Sequence, residues 1–94
     1  PTLYATPEYR PYCPDERKAP VIEKVRQQLA GDYPINTVDG LRITFERGWG
    51  LLRASNTEPV LSLRFEGETQ ADALAYKQIV RDALVAAYPD VESF

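Results

Sequence analysis

The sequence contains no histidine and no methionine, one cysteine and one tryptophan, and no apolar run approaching the length of a membrane span. Without histidine there is no imidazole to serve as general base beside a serine or cysteine. The lone Cys13 has no partner for an internal disulfide, and beside Pro14 it reads as a small packed residue. A chain without disulfides has its natural home in a reducing cytoplasm. Clustered acids of the Asp-x-Asp-x-Asp kind, which would hold a hard cation, are also missing. Nor is positive charge in excess: 11 Lys and Arg stand against 14 Asp and Glu, a net charge of −3, with a pI near 4.9. Nucleic acid and anionic membrane, which both demand a basic face, are thereby excluded as main partners.

What is present suits one small domain. At 94 residues and 44% apolar content, the chain can build a single modest core. Residues 1–7 read as a linker, because Pro1, Thr6 and Pro7 interrupt any regular pattern. Residues 8–94 read as the domain. Within it, residues 8–13 alternate polar and aromatic side chains, and Pro11 restricts them to an edge strand. Val21, Ile22, Val25 and Leu29 then share one helical face. Pro14-Asp15-Glu16 suits a helix opening, and Gly31 its C-terminal cap. Pro20 predicts either a separate first turn over 14–18 or a kink.

Four strands follow, over 35–38, 41–46, 49–53 and 60–66. Asp39-Gly40 predicts a two-residue hairpin between the first two. Leu41, Ile43 and Phe45 share one face, as do Leu61, Leu63 and Phe65, so the sheet is antiparallel and half-buried. Thr69 caps a last helix striped by Tyr76, Ile79, Val80, Ala83, Leu84 and Ala87 and ended by Pro89. The order is β-α-β-β-β-β-α. Its economical packing is an α+β fold, a four- to five-stranded antiparallel sheet with two helices on one face.

One turn carries chemistry. Arg53-Ala54-Ser55-Asn56-Thr57-Glu58-Pro59 places a guanidinium, two hydroxyls, a carboxamide and a run of free backbone amides between two apolar strands. A guanidinium fork matches two phosphate oxygens, and hydroxyl, amide and successive N–H donors can converge on one anion. The same letters also serve as ordinary turn chemistry, since Asn and Ser bond to their own backbone and Pro ends the turn. Chemistry alone leaves both readings open. Arg42, Arg47 and Arg64 lie in the same sheet region and read as a solvated strand face.

Arg53 through Pro59, followed by Val60-Leu61-Ser62-Leu63-Arg64-Phe65-Glu66, resembles the phosphate-binding loop of the α-D-phosphohexomutases, and within them the bacterial phosphomannomutase/phosphoglucomutase branch. Asp39-Gly40-Leu41-Arg42-Ile43 and Gly48-Trp49-Gly50-Leu51-Leu52 resemble the strands leading into it. Cys13-Pro14-Asp15-Glu16 resembles the start of the domain's first helix. The resemblance covers nearly the whole chain, from about Thr6 to its end. Ala54 departs from it, since many members carry Pro there; Asn56 differs from the Gly usual in phosphoglucosamine mutases.

The resemblance implies a C-terminal, fourth domain with a fold similar to the TATA-binding protein, joined to the third domain through residues 1–7 as a hinge. It implies that Arg53, Ser55, Asn56 and Thr57 hold the phosphate of a glucose or mannose 1- or 6-phosphate. It places the reacting phosphoserine, the Mg²⁺ site and the sugar-selecting loop on the other three domains. The absent histidine and acid cluster, and the start at Pro1 without a methionine, fit a piece of a longer enzyme. No cofactor is then expected in this domain, while the parent would use Mg²⁺ and a bisphosphorylated hexose activator. The competing expectation is a non-catalytic protein-interaction module, whose mark would be a contiguous exposed apolar patch.

Overall fold

The computed structural model describes residues 3–94. Its elements run β1 (Tyr4–Ala5), α1 (Asp15–Leu29), β2 (Ile35–Asn36), β3 (Leu41–Phe45), β4 (Gly48–Ala54), β5 (Leu61–Gly67) and α2 (Gln70–Ala87). The five strands form one antiparallel sheet in the order β1-β5-β4-β3-β2. Alternation along the strands sends Leu41, Ile43, Phe45, Leu52, Leu61, Leu63 and Phe65 to one face, where they are buried. Both helices cover that face, α1 with Val21, Val25 and Leu29 and α2 with Tyr76, Val80 and Leu84. Each such side chain contributes about 1.5–3 kcal/mol when withdrawn from water. The expected α+β architecture, with two helices on one side of the sheet, is therefore the one observed.

The termini of the elements differ from expectation in instructive ways. The paired edge strand is Tyr4–Ala5, inside the segment expected as linker, whose first two residues lie outside the described ones. Residues 8–13 form no continuous strand but do run along the edge of β5, through the bridges Tyr9–Leu63 and Tyr12–Val60 and backbone bonds at Tyr9, Pro11 and Cys13. Pro7 and Pro11 supply no N–H to a ladder, and the pairing with β5 slips by one residue between Thr6 and Tyr9. At the slip the Thr6 hydroxyl accepts the Phe65 N–H at 3.1 Å, taking over from a backbone carbonyl.

Helix α1 is unbroken, so the separate first turn does not exist. Pro20 sits on its exposed side one turn above Glu16, where water can serve the carbonyl that Pro20 leaves without a donor. The helix closes through Ala30 in right-handed conformation, and Gly31 follows without forming a left-handed cap. The 39–40 hairpin is also longer than expected. Asn36 and Arg42 are its last pair, and the loop between β2 and β3 spans 37–40 with the Asn36 Oδ1 accepting the Val38 N–H. The tight two-residue turn lies instead at Glu46-Arg47, between paired Phe45 and Gly48. Thr69 caps α2 as expected, its hydroxyl accepting the Asp72 N–H at 3.1 Å.

Two polar ties fasten helices to sheet. At one end, the Arg47 guanidinium forks onto both oxygens of Asp72 at 2.9–3.1 Å, and the Arg47 N–H donates to the Tyr76 hydroxyl. This fork holds the Asp72 carboxyl below the usual carboxylate range and pushes the guanidinium further up. At the other end, Lys18 of α1 is only 6% exposed. Its ammonium donates to the Ser55 carbonyl at 2.8 Å and the Glu58 carbonyl at 2.6 Å, and pairs with Asp15 at 2.7 Å. All three of its donors have a partner.

Lys18→Met keeps an apolar stem but strips both carbonyls of their charged donor. A loss of about 2 kcal/mol in urea denaturation is expected, with faster amide exchange at Ser55, Thr57 and Glu58. Unchanged exchange in that loop would mean that Lys18 does not hold it. The Asp72 tie predicts a pH effect of fixed sign. Its carboxyl is depressed in the fold, so its contribution is complete above the ordinary Asp value of about 3.9 and fades as pH falls through the folded value. Asp72→Asn should lower the urea midpoint at neutral pH and bring it closest to wild type at the acid end; a constant offset at every pH would contradict this.

Candidate functional site

The six residues between Ala54 of β4 and Leu61 of β5 form a loop that the fold holds from three sides. Across its neck the Ser55 N–H donates to the Val60 carbonyl at 3.1 Å. Inside it the Ser55 hydroxyl accepts the N–H groups of Thr57 and Glu58 at 3.3 and 3.2 Å. The Val60 N–H turns back to the Glu58 carbonyl. The sequence had suggested a run of free amides here, and most of them are committed within the loop. Among the described residues, the Asn56 N–H is the loop amide left without a partner.

Lys18 also decides where that amide faces. No peptide bond is cis, so the Ser55 C=O and the Asn56 N–H point in opposite directions within their shared plane. With the carbonyl drawn towards Lys18 under the loop, the N–H turns away from α1. The Ser55 hydroxyl keeps its own proton to donate as well, since its accepted bonds use only its lone pairs.

Arg53 stands at the end of β4, in register with Ser62 of β5, on the sheet face away from the helices. Its Nη1 lies 3.3 Å from Asp39 Oδ2, with both side chains largely exposed. Asp39 reaches Arg53 because Gly40 takes φ of 72° and packs its bare Cα against the strand. A Cβ there would fall 2.5 Å from both Arg53 Cβ and the Leu52 carbonyl oxygen. Gly40 is thus required on two counts, conformation and space.

Arg53, Ser55, Asn56 and Thr57, the four residues singled out from sequence, all line one cavity of about 360 Å³. Its other polar walls were not anticipated. Arg10 contributes a second guanidinium, 2.6 Å from Glu58, whose hydrogen bond pushes the Arg10 value up. Glu8 accepts from the Ser62 hydroxyl at the same wall. Arg42, Arg47 and Arg64 do not reach it. Arg42 stacks over Trp49 at 4.3 Å, Arg47 binds Asp72, and Arg64 lies 3.9 Å from Glu66. A larger, open groove of about 560 Å³ lies behind the loop, between α1 and Leu41. Its ionic side chains, Lys18 with Asp15 and Arg26 with Glu23, are already paired with one another. The smaller cavity gathers Arg53, Arg10, the Ser55 and Thr57 hydroxyls and the Asn56 carboxamide, beside the carboxylates of Glu8 and Asp39. Cys13 plays no part: it is fully buried, and burial pushes its thiol up, away from the reactive thiolate.

The exposed large apolar residues are Leu3 just before β1, Tyr4 at its start, Tyr12 before α1, Val38 in the 37–40 loop and Leu74 on α2. No helix among the described residues is long and apolar enough to cross a membrane.

Comparison with known proteins agrees over nearly the full chain. The family model for the phosphoglucomutase/phosphomannomutase C-terminal domain matches residues 11–83. A phosphomannomutase/phosphoglucomutase of Pseudomonas syringae pv. tomato is 40% identical over 93 residues, covering 98% of this chain and 20% of that protein. A phosphoglucomutase of Neisseria gonorrhoeae is 45% identical over 74 residues, covering 76% and 16%. The crystal structure of a phosphoglucomutase/phosphomannomutase family protein from Burkholderia thailandensis superposes with a TM-score of 0.80 at 35% identity, covering 98% of this chain and 19% of that one. This chain thus spans about a fifth of the length of such relatives. With its sheet, helices and loop matched along almost their whole length, the chain belongs to the phosphoglucomutase/phosphomannomutase family, as its C-terminal domain.

Proposed function

We propose that this chain is the phosphate-gripping domain of a longer mutase that interconverts hexose 1-phosphate and hexose 6-phosphate through a bisphosphorylated sugar. The observation that carries the reading is the convergence of Arg53, Ser55, Asn56 and Thr57 on one cavity. Arg53 supplies a planar fork for two phosphate oxygens. The Ser55 and Thr57 hydroxyls, the Asn56 carboxamide and the partnerless Asn56 N–H supply neutral donors around it.

The role is positional. Holding the non-reacting phosphate fixes the far end of the sugar, so that its other end meets the reacting group in line on another domain. Binding energy gathered at that remote phosphate lowers the barrier elsewhere. Because the bisphosphorylated sugar must turn around between steps, a site that reads phosphate alone suits both orientations of glucose or mannose phosphate.

The Mg²⁺ that the family resemblance implies belongs, in this reading, to the remaining domains of a cytoplasmic enzyme, as does use of the bisphosphorylated activator. The described residues of this chain hold no group of three or more His, Cys, Asp or Glu side chains fit for a metal, and no step here runs through one. In this reading the chain alone binds without turnover. Purified to homogeneity, it should leave glucose 1-phosphate unchanged at any Mg²⁺ concentration; measurable conversion overturns that assignment.

Arg53→Ala in the longer protein removes a charge-assisted phosphate contact of about 1.5–3 kcal/mol, so kcat/KM should fall by roughly one to two orders of magnitude. Stability should barely move, since the side chain is half exposed and its one ion pair is the open contact with Asp39 at 3.3 Å. Arg53→Lys should restore part of the loss, because a point charge cannot reproduce the fork. A folded Arg53→Ala variant with full efficiency would end the phosphate reading.

A further inference from the structure

Arg10 is the second guanidinium on the cavity wall, and nothing in the motif of the loop points to it. It approaches from the side opposite α1. Arg53 stands on β4, whereas Arg10 lies in the edge segment between the Tyr9 and Tyr12 bridges to β5. Its Nη2 is 2.6 Å from Glu58 Oε1, and Glu58 is part of the same loop as Ser55, Asn56 and Thr57. The two side chains are 45% and 56% exposed. Water screens an ion pair that open, so it adds little to stability and makes a poor brace. The loop has a far better one in the buried ammonium of Lys18. What the pair accomplishes is different: it holds a fork of N–H donors at the rim, occupied by a carboxylate that a stronger anion can replace. A phosphate dianion carries more charge and more acceptor oxygens than that carboxylate.

We infer that Arg10 is a second phosphate ligand of this site and that Glu58 is its resident competitor. When phosphate enters, Arg10 releases Glu58 and closes on the anion from the edge segment, while Arg53 reaches it from β4. Two guanidiniums then face the dianion instead of one, offsetting the carboxylates of Glu8 and Asp39 that line the same cavity. This rests on the phosphate reading of the cavity and extends it to the edge segment and to Glu58, whose negative charge tunes affinity downward.

The test uses the full 94-residue chain, titrated with inorganic phosphate at constant ionic strength and followed by amide and guanidinium N–H shifts. Arg10→Ala should raise the phosphate Kd about five- to tenfold, while Glu58→Gln, which frees the fork and removes a repelling charge, should lower it about two- to threefold. The opposite signs are the signature, because breaking a mere brace from either end would move both variants the same way. If Arg53→Ala weakens binding but Arg10→Ala and Glu58→Gln shift in parallel or not at all, Arg10 is no ligand and the site survives without it. If wild type shows no localised phosphate response, or Arg53→Ala leaves it intact, the cavity is not a phosphate site and the inference falls with it.

Discussion

The ammonium of Lys18 is the constraint on which the site depends. A lysine buried to this degree must place every N–H on an acceptor, since an unpaired buried charge is far costlier than any packing gain. Its acceptors are two carbonyls of one loop and a carboxylate of its own helix. The position of α1 and the shape of the 55–60 loop are consequently one decision. α1 is itself fixed by Val21, Val25 and Leu29 in the common core, so the loop inherits the rigidity of the core without containing a core residue. The Ser55 hydroxyl and the neck bond to Val60 then complete a loop whose shape is set before any ligand arrives.

Much of the fold could be read from the sequence because one physical signal dominated it. Apolar alternation in 41–45 and 61–65, and the stripe along 76–87, each demand a buried face, and only one face was available to share. Where local chemistry had to compete with tertiary contacts, the reading slipped. Asp39-Gly40 has the composition of a two-residue turn, yet Gly40 is used to bring the chain against Arg53, which lengthens the loop. Pro20 suggested a separate first turn or a kink; the helix runs through it without a break, with Pro20 on the exposed side. Gly31 offered a left-handed cap that the helix does not use, since the Asp32 and Tyr33 N–H groups already serve the Leu29 carbonyl.

The site divided along the same line. Arg53, Ser55, Asn56 and Thr57 are consecutive or nearly so, and their chemistry could be recognised as a group. Arg10 and Lys18 are separated from their loop partners by 48 and by 37–40 residues. Nothing in their neighbours announces the contact, except that Asp15 stands three residues before Lys18 on the same helix. Spacing also misled in one respect. The loop amides counted as donors for an anion are mostly consumed by Ser55, so the donors that remain are side chains and the single N–H of Asn56.

The edges of the sheet have a consequence for self-association. An antiparallel sheet exposes a row of unpaired N–H and C=O groups at each border, a template on which another copy can add a strand. Here one border is β2, only Ile35–Asn36 long, and the Asn36 carboxamide is already folded onto Val38. The other is β1, also two residues long, continued by a segment in which Pro7 and Pro11 carry no N–H at all and the register slips. A strand arriving at either border meets too few aligned donors to extend the ladder. The irregular N-terminal segment that blurred the sequence reading is therefore also what stops the sheet at five strands.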